Sequence, residues 1–414
     1  MTPILSALGN RNFRIYAVGG FISNVGTWMQ STAMSWLVLQ VGGGGSGLGA
    51  AIALQMLPTL VLSPWAGALA DSLPKRTVIV GSQAVMATFS AILGVLAVTG
   101  MAGLWQVLML NLLFGIGRAV ETPARLSFVS ELVDRHQMTN AVALNSASFH
   151  ASRLIGPGVA GLLIAALGSG ASATGWVILA NAATYGASIG SLVLLDTRLL
   201  NKLPARAHSR GAVGQGVRYL QRRPDLQLVL TLSFFVGMFG MNFTILSALM
   251  ATDEFGKGAR EFGILGTLMA IGSLAGPVLT ARRPQPRLRR LVIAASLFAG
   301  VQMLSALAPT YPVYAAMVPL VGLTLYTFAT SANVTVQIRA DPAMRGRVTS
   351  IYMMALLGAV PLGAPIFGYI GQHAGPRWAL AASAVGCSVG VLVGCSNYLR
   401  QRGPSRIVAE APAL

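Results

Sequence analysis

Charges are scarce in this chain, so the few that fall inside apolar stretches mark where its chemistry can lie. The 414 residues carry only 11 Asp and Glu against 29 Lys and Arg. Arg153 and His150 sit within a long apolar run, and a cation there needs an acidic partner or a water-filled cavity. Glu121, at the end of the preceding apolar run, is the nearest acid, and Arg118 lies one helical turn before it on the same face. Glu121, Arg153, Arg118 and His150 are therefore candidates for a polar centre that takes up and releases a proton, with Glu121 the first choice. The plainer readings are a structural ion-pair cluster and, for His150, a hydrogen-bonded packing histidine. Other chemistries find no residues to carry them. There is no Walker loop for ATP hydrolysis, no cysteine and histidine cluster for a metal, and no carboxylate pair spaced for hydrolysis. An enzyme is disfavoured, and no bound cofactor is expected.

The elements that must position these residues read as membrane helices. Hydrophobic residues make up 54% of the chain and charged residues 10%, whereas a soluble domain carries about 25% charged residues. The 48 glycines suit close helix packing in lipid. A bilayer core of about 30 Å takes about 20 mainly apolar residues per helix. Twelve such segments can be marked, at about 13–41, 46–70, 77–98, 103–122, 140–168, 173–195, 226–251, 261–281, 289–308, 311–336, 347–371 and 377–397. Arg11 and Arg14 precede the first run and no small-residue cleavage site follows, so that run is read as a retained span.

The net charge of +18 falls in short arginine clusters between apolar runs, which argues against a nucleic-acid partner and for topology. With the N-terminus cytoplasmic, every Lys and Arg except Lys257, Arg260, Arg377 and the intramembrane Arg153 sorts to the cytoplasmic side. Both termini are then cytoplasmic. The longest polar connection, Asp196 to Asp225, is strongly basic and contains an amphipathic piece around Val213 to Leu220. It divides the chain into residues 1–197 as a first six-helix bundle, 198–225 as a basic cytoplasmic linker, 226–399 as a second bundle and 400–414 as a cytoplasmic tail. At an offset of half the chain length, Lys75-Arg76 pairs with Arg282-Arg283, Asp134 with Asp341 and Gly161 with Gly368. Together with the charge layout, these matches favour two repeated halves.

Between the second and third spans stands GALADSLPKR, with Gly67, Leu69, Asp71, Lys75 and Arg76. The glycine permits close helix approach and the basic pair anchors the next helix at the membrane surface. Taken by itself it also reads as a charged turn that fixes topology. In the fifth span, Gly156-Pro157 with Gly161 combines small residues with a bend, since proline frees a backbone carbonyl; the plain alternative is a packing kink.

The turn resembles the signature of the major facilitator superfamily, Gly-x-Leu-x-Asp-Arg-x-Gly-Arg-Lys, with Ser72 in place of a basic residue and Pro74 in place of a glycine. The resemblance implies an all-α polytopic membrane protein of twelve transmembrane helices in two pseudo-symmetric six-helix bundles. It also implies that Gly67, Asp71, Lys75 and Arg76 act as a conformational latch; in the second half, Val278 stands where Asp71 pairs. The stretches Thr122 to Ile164 and Met344 to Ile370 look like the enterobactin-exporter-like branch, which includes siderophore and drug exporters. Gly156, Pro157 and Gly161 resemble the glycine-proline motif of drug–proton antiporters. In that superfamily the central cavity is lined mainly by helices one, four, seven and ten. The corresponding segments offer Asn24, Trp28, Gln30, Asn111, Phe114, Met238, Met241, Asn242, Tyr326 and Asn333, an adaptable neutral surface suited to bulky amphiphiles.

The resulting expectation is a secondary active transporter of the bacterial inner membrane. By alternating access it exports a small amphiphilic organic compound of drug or siderophore type, in exchange for protons moving down their gradient. Its partners are that small molecule and the membrane lipids, and it is expected to be a monomer. An importer or a lysophospholipid or lipid flippase on the same scaffold is the nearest rival, and a non-transporting membrane sensor a more distant one.

Overall fold

The structure is a computed structural model that describes residues 3–201, 212–281 and 287–402; the side chains of Asp71 and Arg135 lie outside the description. All regular structure among the described residues is helical. The chain forms two compact units, one of Met1–His208 with Lys257–Thr267, the other of Ser209–Gly256 with Leu268–Leu414.

The first unit holds α1 (Arg11–Gln40), α2 (Gly44–Ser72), α3 (Lys75–Val98), α4 (Leu104–Leu132), α5 (Met138–Ala166) and α6 (Ala171–Val193). Within it α6 packs on α1 and α3, and α4 on α2 and α3. The second unit holds α7 (Ala212–Leu220), α8 (Pro224–Phe235), α9 (Phe243–Leu249), the latter part of α10 (Ala259–Ala281), α11 (Leu288–Ala306), α12 (Tyr311–Arg339), α13 (Arg345–Leu357), α14 (Val360–His373) and α15 (Pro376–Arg402). There α15 packs on α8 and α11, and α12 on α11. The same internal pairing thus recurs in each bundle.

Among the described residues, eleven helical runs are long and apolar enough to cross a bilayer. The twelfth is α1, whose 30 residues reach about 45 Å at 1.5 Å per residue. It is more polar than the others, and its polar side chains are buried against neighbours: Asn12, Ser23, Asn24, Gln30, Thr32 and Ser35 are all nearly inaccessible. Elsewhere the usual order is inverted, with Leu126, Leu392, Trp105, Trp176 and Trp378 all more than half exposed, as expected where the solvent is lipid.

Three elements depart from the sequence reading. Helix α4 continues through Pro123 to Leu132, well past the expected end near residue 122. Arg125 and Glu131, read from sequence as a connection residue or left aside, therefore stand on one continuous helix with Arg118 and Glu121. The seventh span is broken, because α8 and α9 are separated by a π-turn at Val236–Gly240 and a second π-turn follows at Met250–Glu254. A Cβ on Gly237 would collide with the carbonyl of Leu356, so the backbones meet where the helix deforms. The eleventh span breaks between α13 and α14 at Gly358-Ala359, just before Pro361. The amphipathic piece of the linker does form a helix, α7, and its Gly216 packs on Arg347 and Ile351.

Candidate functional site

The first unit contains a cavity of about 440 Å³ whose wall is built from α1, α3, α4, α5 and α6. Helix α1 contributes Asn24, Thr27, Trp28 and Ser31, and α4 contributes Phe114, Arg118, Glu121, Thr122 and Arg125. Asn145, Phe149 and His150 come from α5. On α4 the spacing 114, 118, 121, 125 keeps one face toward the hollow, since residues three and four apart share a helix face.

Glu121 is the centre of this wall and is only 7% exposed. Its Oε1 accepts a hydrogen bond from Gln83 Nε2 at 2.8 Å and lies 3.5 Å from Arg125 NH1. The same guanidinium donates through NH2 to Asn24 Oδ1 at 2.9 Å, and it lies beside Gly20, where a side chain would stand 3.5 Å from NH2. The carboxylate is thus held by one amide and one guanidinium.

Arg125 is the residue that the sequence reading missed. Its signal was present, one helical turn after Glu121, but the assumed helix end hid it. Glu121, expected to pair with Arg153, instead has Arg125 and Gln83 on its Oε1. Arg153 places its guanidinium over the Trp28 ring, 5.2 Å from the centroid, a cation–π geometry. Trp28 meets Phe149 edge-on, and Phe149 meets His150 in the same way. The Nδ1 atom of His150 is buried with no hydrogen-bond partner among the described residues.

Of the amide, aromatic and methionine candidates, Asn24, Trp28 and Phe114 line this cavity. Gln30 and Asn111 do not. Gln30 accepts from Asn181 of α6, and Asn111 donates to the Ala51 carbonyl of α2 at 2.6 Å. Both tie helices together inside the bundle, because a buried amide must find partners wherever packing supplies them. In the second unit, Met238 lies in the first π-turn, Met241 follows it, and Asn242 donates to the Met238 carbonyl at 2.8 Å. Asn333 accepts from Gln337 at 2.6 Å, and Tyr326 stands half-buried on the same helix.

At the end of α2, Gly67 is half-buried and the Asp71 side chain lies outside the described residues. Lys75 forms an ion pair with Glu131 at the end of α4, and Arg76 donates to the Val193 carbonyl at 3.1 Å. Gly156 allows α5 to press on α1, since a Cβ there would lie 2.5 Å from that of Trp28. Gly161 faces the first turns of α10, where an added Cβ would stand 2.6 Å from the Ala259 carbonyl oxygen and 3.0 Å from Gly263 Cα. On the same helix, Thr267 donates to the Leu154 carbonyl at 3.1 Å.

Residues 2–411 match a protein family described as transmembrane secretion effector. The chain is 26% identical to the staphyloferrin A transporter of Staphylococcus aureus, over 83% of this chain and 85% of that protein. It is 28% identical to the multidrug efflux pump Tap of Mycolicibacterium fortuitum, over 85% of this chain and 87% of that one. Among solved structures, a bacterial homologue of the iron transporter ferroportin in an inward-facing state aligns with a TM-score of 0.71 at 14% identity, covering 94% of this chain and 98% of that one. That similarity speaks to the fold.

Proposed function

We propose a transport cycle for this chain from one premise: it belongs to the transmembrane secretion effector family, within the major facilitator superfamily, and is a membrane transporter of the efflux type. The chain exports a small amphiphilic organic compound, of drug or siderophore type, in exchange for protons. The observation that carries this reading is Glu121, a buried carboxylate that lines a cavity together with Arg118, Arg125 and His150, among aromatic, aliphatic and neutral-polar side chains. A hollow of about 440 Å³ falls within the range of small-molecule sites, about 300–1,000 Å³. Met86, Phe114, Trp28 and Phe149 offer the apolar face that an amphiphile needs, while Asn24, Asn145 and Ser146 offer hydrogen bonds.

Coupling follows from the sharing of Arg125. With Glu121 charged, Arg125 is held between Glu121 and Asn24. Protonation of Glu121 weakens that hold and turns Arg125 and Asn24 toward the cavity contents. Proton and cargo then bias the same side chains, which is the condition for linkage between them. Arg118 raises the positive field at the mouth, Arg153 on Trp28 fixes the aromatic wall, and His150 supplies a second proton acceptor. Gly67, Asp71, Lys75 and Arg76 act as the latch, with Glu131 as the intrabundle partner of Lys75. Gly156, Pro157 and Gly161 shape the interface that rocks.

The chain works as a monomer in the bacterial inner membrane with both termini cytoplasmic. The sorted arginines and the family's bacterial relatives support that placement. The proton gradient drives it, with no bound cofactor. Proteoliposomes carrying a pH-sensitive dye test the antiport: a macrolide or siderophore cargo added on one side should dissipate an imposed pH gradient in step with its movement. Cargo movement that leaves the gradient untouched would refute proton exchange and favour the importer or flippase reading.

A further inference from the structure

The charges on the wall of the first-unit cavity do not balance. Two guanidiniums line it, Arg118 and Arg125, against one carboxylate, Glu121. His150, the other basic side chain of the wall, can add positive charge and never negative. Arg153, over Trp28, has contacts of its own and stands outside this balance. The single carboxylate is committed through Oε1 to Gln83 and Arg125, and Arg125 is held further by Asn24.

Arg118 shares that face of α4 without joining the cluster. Its carbonyl accepts from the Thr122 hydroxyl at 2.7 Å, but among the described residues its guanidinium has no hydrogen bond and no ion pair. It stands at the middle of α4, fourteen residues from Leu104 and fourteen from Leu132. That is about 21 Å of helix either way, more than half of a bilayer core of about 30 Å. A half-buried cation at mid-helix calls for an anion, and the described residues supply none.

The rest of the wall says what that anion is attached to. Trp28 and Phe149 meet edge-on and present an aromatic surface. The Thr27 and Thr122 hydroxyls are committed to main-chain carbonyls, which leaves Ser31, Asn145 and Ser146 as neutral hydrogen-bonding groups. A cationic amphiphile would face two guanidiniums and a carboxylate already engaged. A neutral one would fill the hollow and leave Arg118 unmatched. A bare inorganic anion would meet Arg118 and leave the aromatic surface uncovered.

We propose that the cargo is an anionic amphiphile, an organic acid whose carboxylate binds the Arg118 guanidinium while its apolar body lies against Trp28 and Phe149. The planar fork of an arginine matches a carboxylate with two parallel hydrogen bonds. The assignment rests on the reading of this cavity as the transport site, and it is independent of proton coupling.

The test is equilibrium binding to the purified full chain in detergent, with no pH gradient present. The probes are pyrenebutyrate, its primary amide and pyrenebutylamine, which share ring and chain and differ in charge. The acid should bind about tenfold more tightly than the amide, on the scale of one hydrogen bond to a charged group, and the amine more weakly than either. Arg118→Gln should cost the acid about tenfold and erase its preference over the amide. Arg118→Lys keeps the charge without the fork and should cost the acid about threefold. Arg218→Gln, which removes equal charge from the exposed face of α7, should leave the preference intact. Ser146→Asp, which adds a carboxylate to the wall, should turn the preference toward the amine and serves where Arg118→Gln is poorly folded by circular dichroism.

Equal binding of acid and amide by the unaltered chain would overturn the assignment while leaving the cavity an amphiphile site. So would an acid preference that survives Arg118→Gln, or full displacement of the acid by equimolar acetate, which would indicate a bare anion site. Failure of all three probes to bind would overturn the reading of the cavity itself, and the assignment with it.

Discussion

Two charge clusters built from the same residue types differ in how completely their hydrogen bonds are met. At the base of the second unit, Arg223 meets Asp225 through two bonds of 3.1 and 3.0 Å. Its remaining donors reach the Tyr219 hydroxyl and the Arg339 carbonyl, each at 2.7 Å, and Arg339 adds a second cation 3.3 Å from Asp225. In the cavity of the first unit, Arg125 stands 3.5 Å from Glu121, while Gln83 Oε1 and His150 Nδ1 are buried without hydrogen-bond partners among the described residues. A saturated cluster has one stable arrangement and holds α7 and α8 to α12. An unsaturated one keeps neighbours to exchange with, and a buried group short of partners is where function is to be sought.

Substitutions can break or sharpen that contrast. The largest effect on folding is expected from Asp225→Ala, which strands two arginines. The cost of removing one partner of a buried pair is about 3–5 kcal/mol, reduced here to about 2–3 kcal/mol because both guanidiniums are about 30% exposed. Thermal unfolding in detergent should show it, with transport per folded molecule unchanged; a transport-specific loss would erase the distinction. Next comes Gln83→Leu, which takes one of two partners from Glu121 and should cost about 1–2 kcal/mol while slowing transport. Arg125→Lys keeps the charge but cannot reach Glu121 and Asn24 together. It should lose less than about 1 kcal/mol of stability yet reduce cargo transport roughly tenfold, about 1.4 kcal/mol in barrier. Smallest is Trp28→Leu, which removes the ring under Arg153 and should cost about 0.5–1 kcal/mol, with a weaker apparent affinity for aromatic cargo.

The sequence made the spans legible because burial in lipid demands long apolar runs; it brought Glu121, Arg118 and His150 into view because charged and titratable residues in or beside such runs are rare, and the family resemblance added Asn24, Trp28 and Phe114. All six line one cavity. Arg125 stayed hidden for the same reason in reverse, since the polar stretch after Pro123 looked like a connection. The partner choices of Gln30 and Asn111 were not readable at all. An amide bonds whatever packing puts beside it, here Asn181 and the Ala51 carbonyl, and that is decided by long-range structure. The breaks at Val236–Gly240 and Gly358-Ala359 also arise from tertiary approach, because glycine alone permits a deformation without requiring one.

The most direct test of Glu121 as the coupling group compares two modes of transport in one preparation. In proteoliposomes, Glu121→Gln should retain exchange of labelled for unlabelled cargo at near the unaltered rate, since the Gln83 contact and the cavity persist. It should lose accumulation driven by an imposed pH gradient. A Glu121→Gln chain that still accumulates cargo against its concentration under a pH gradient would contradict the account.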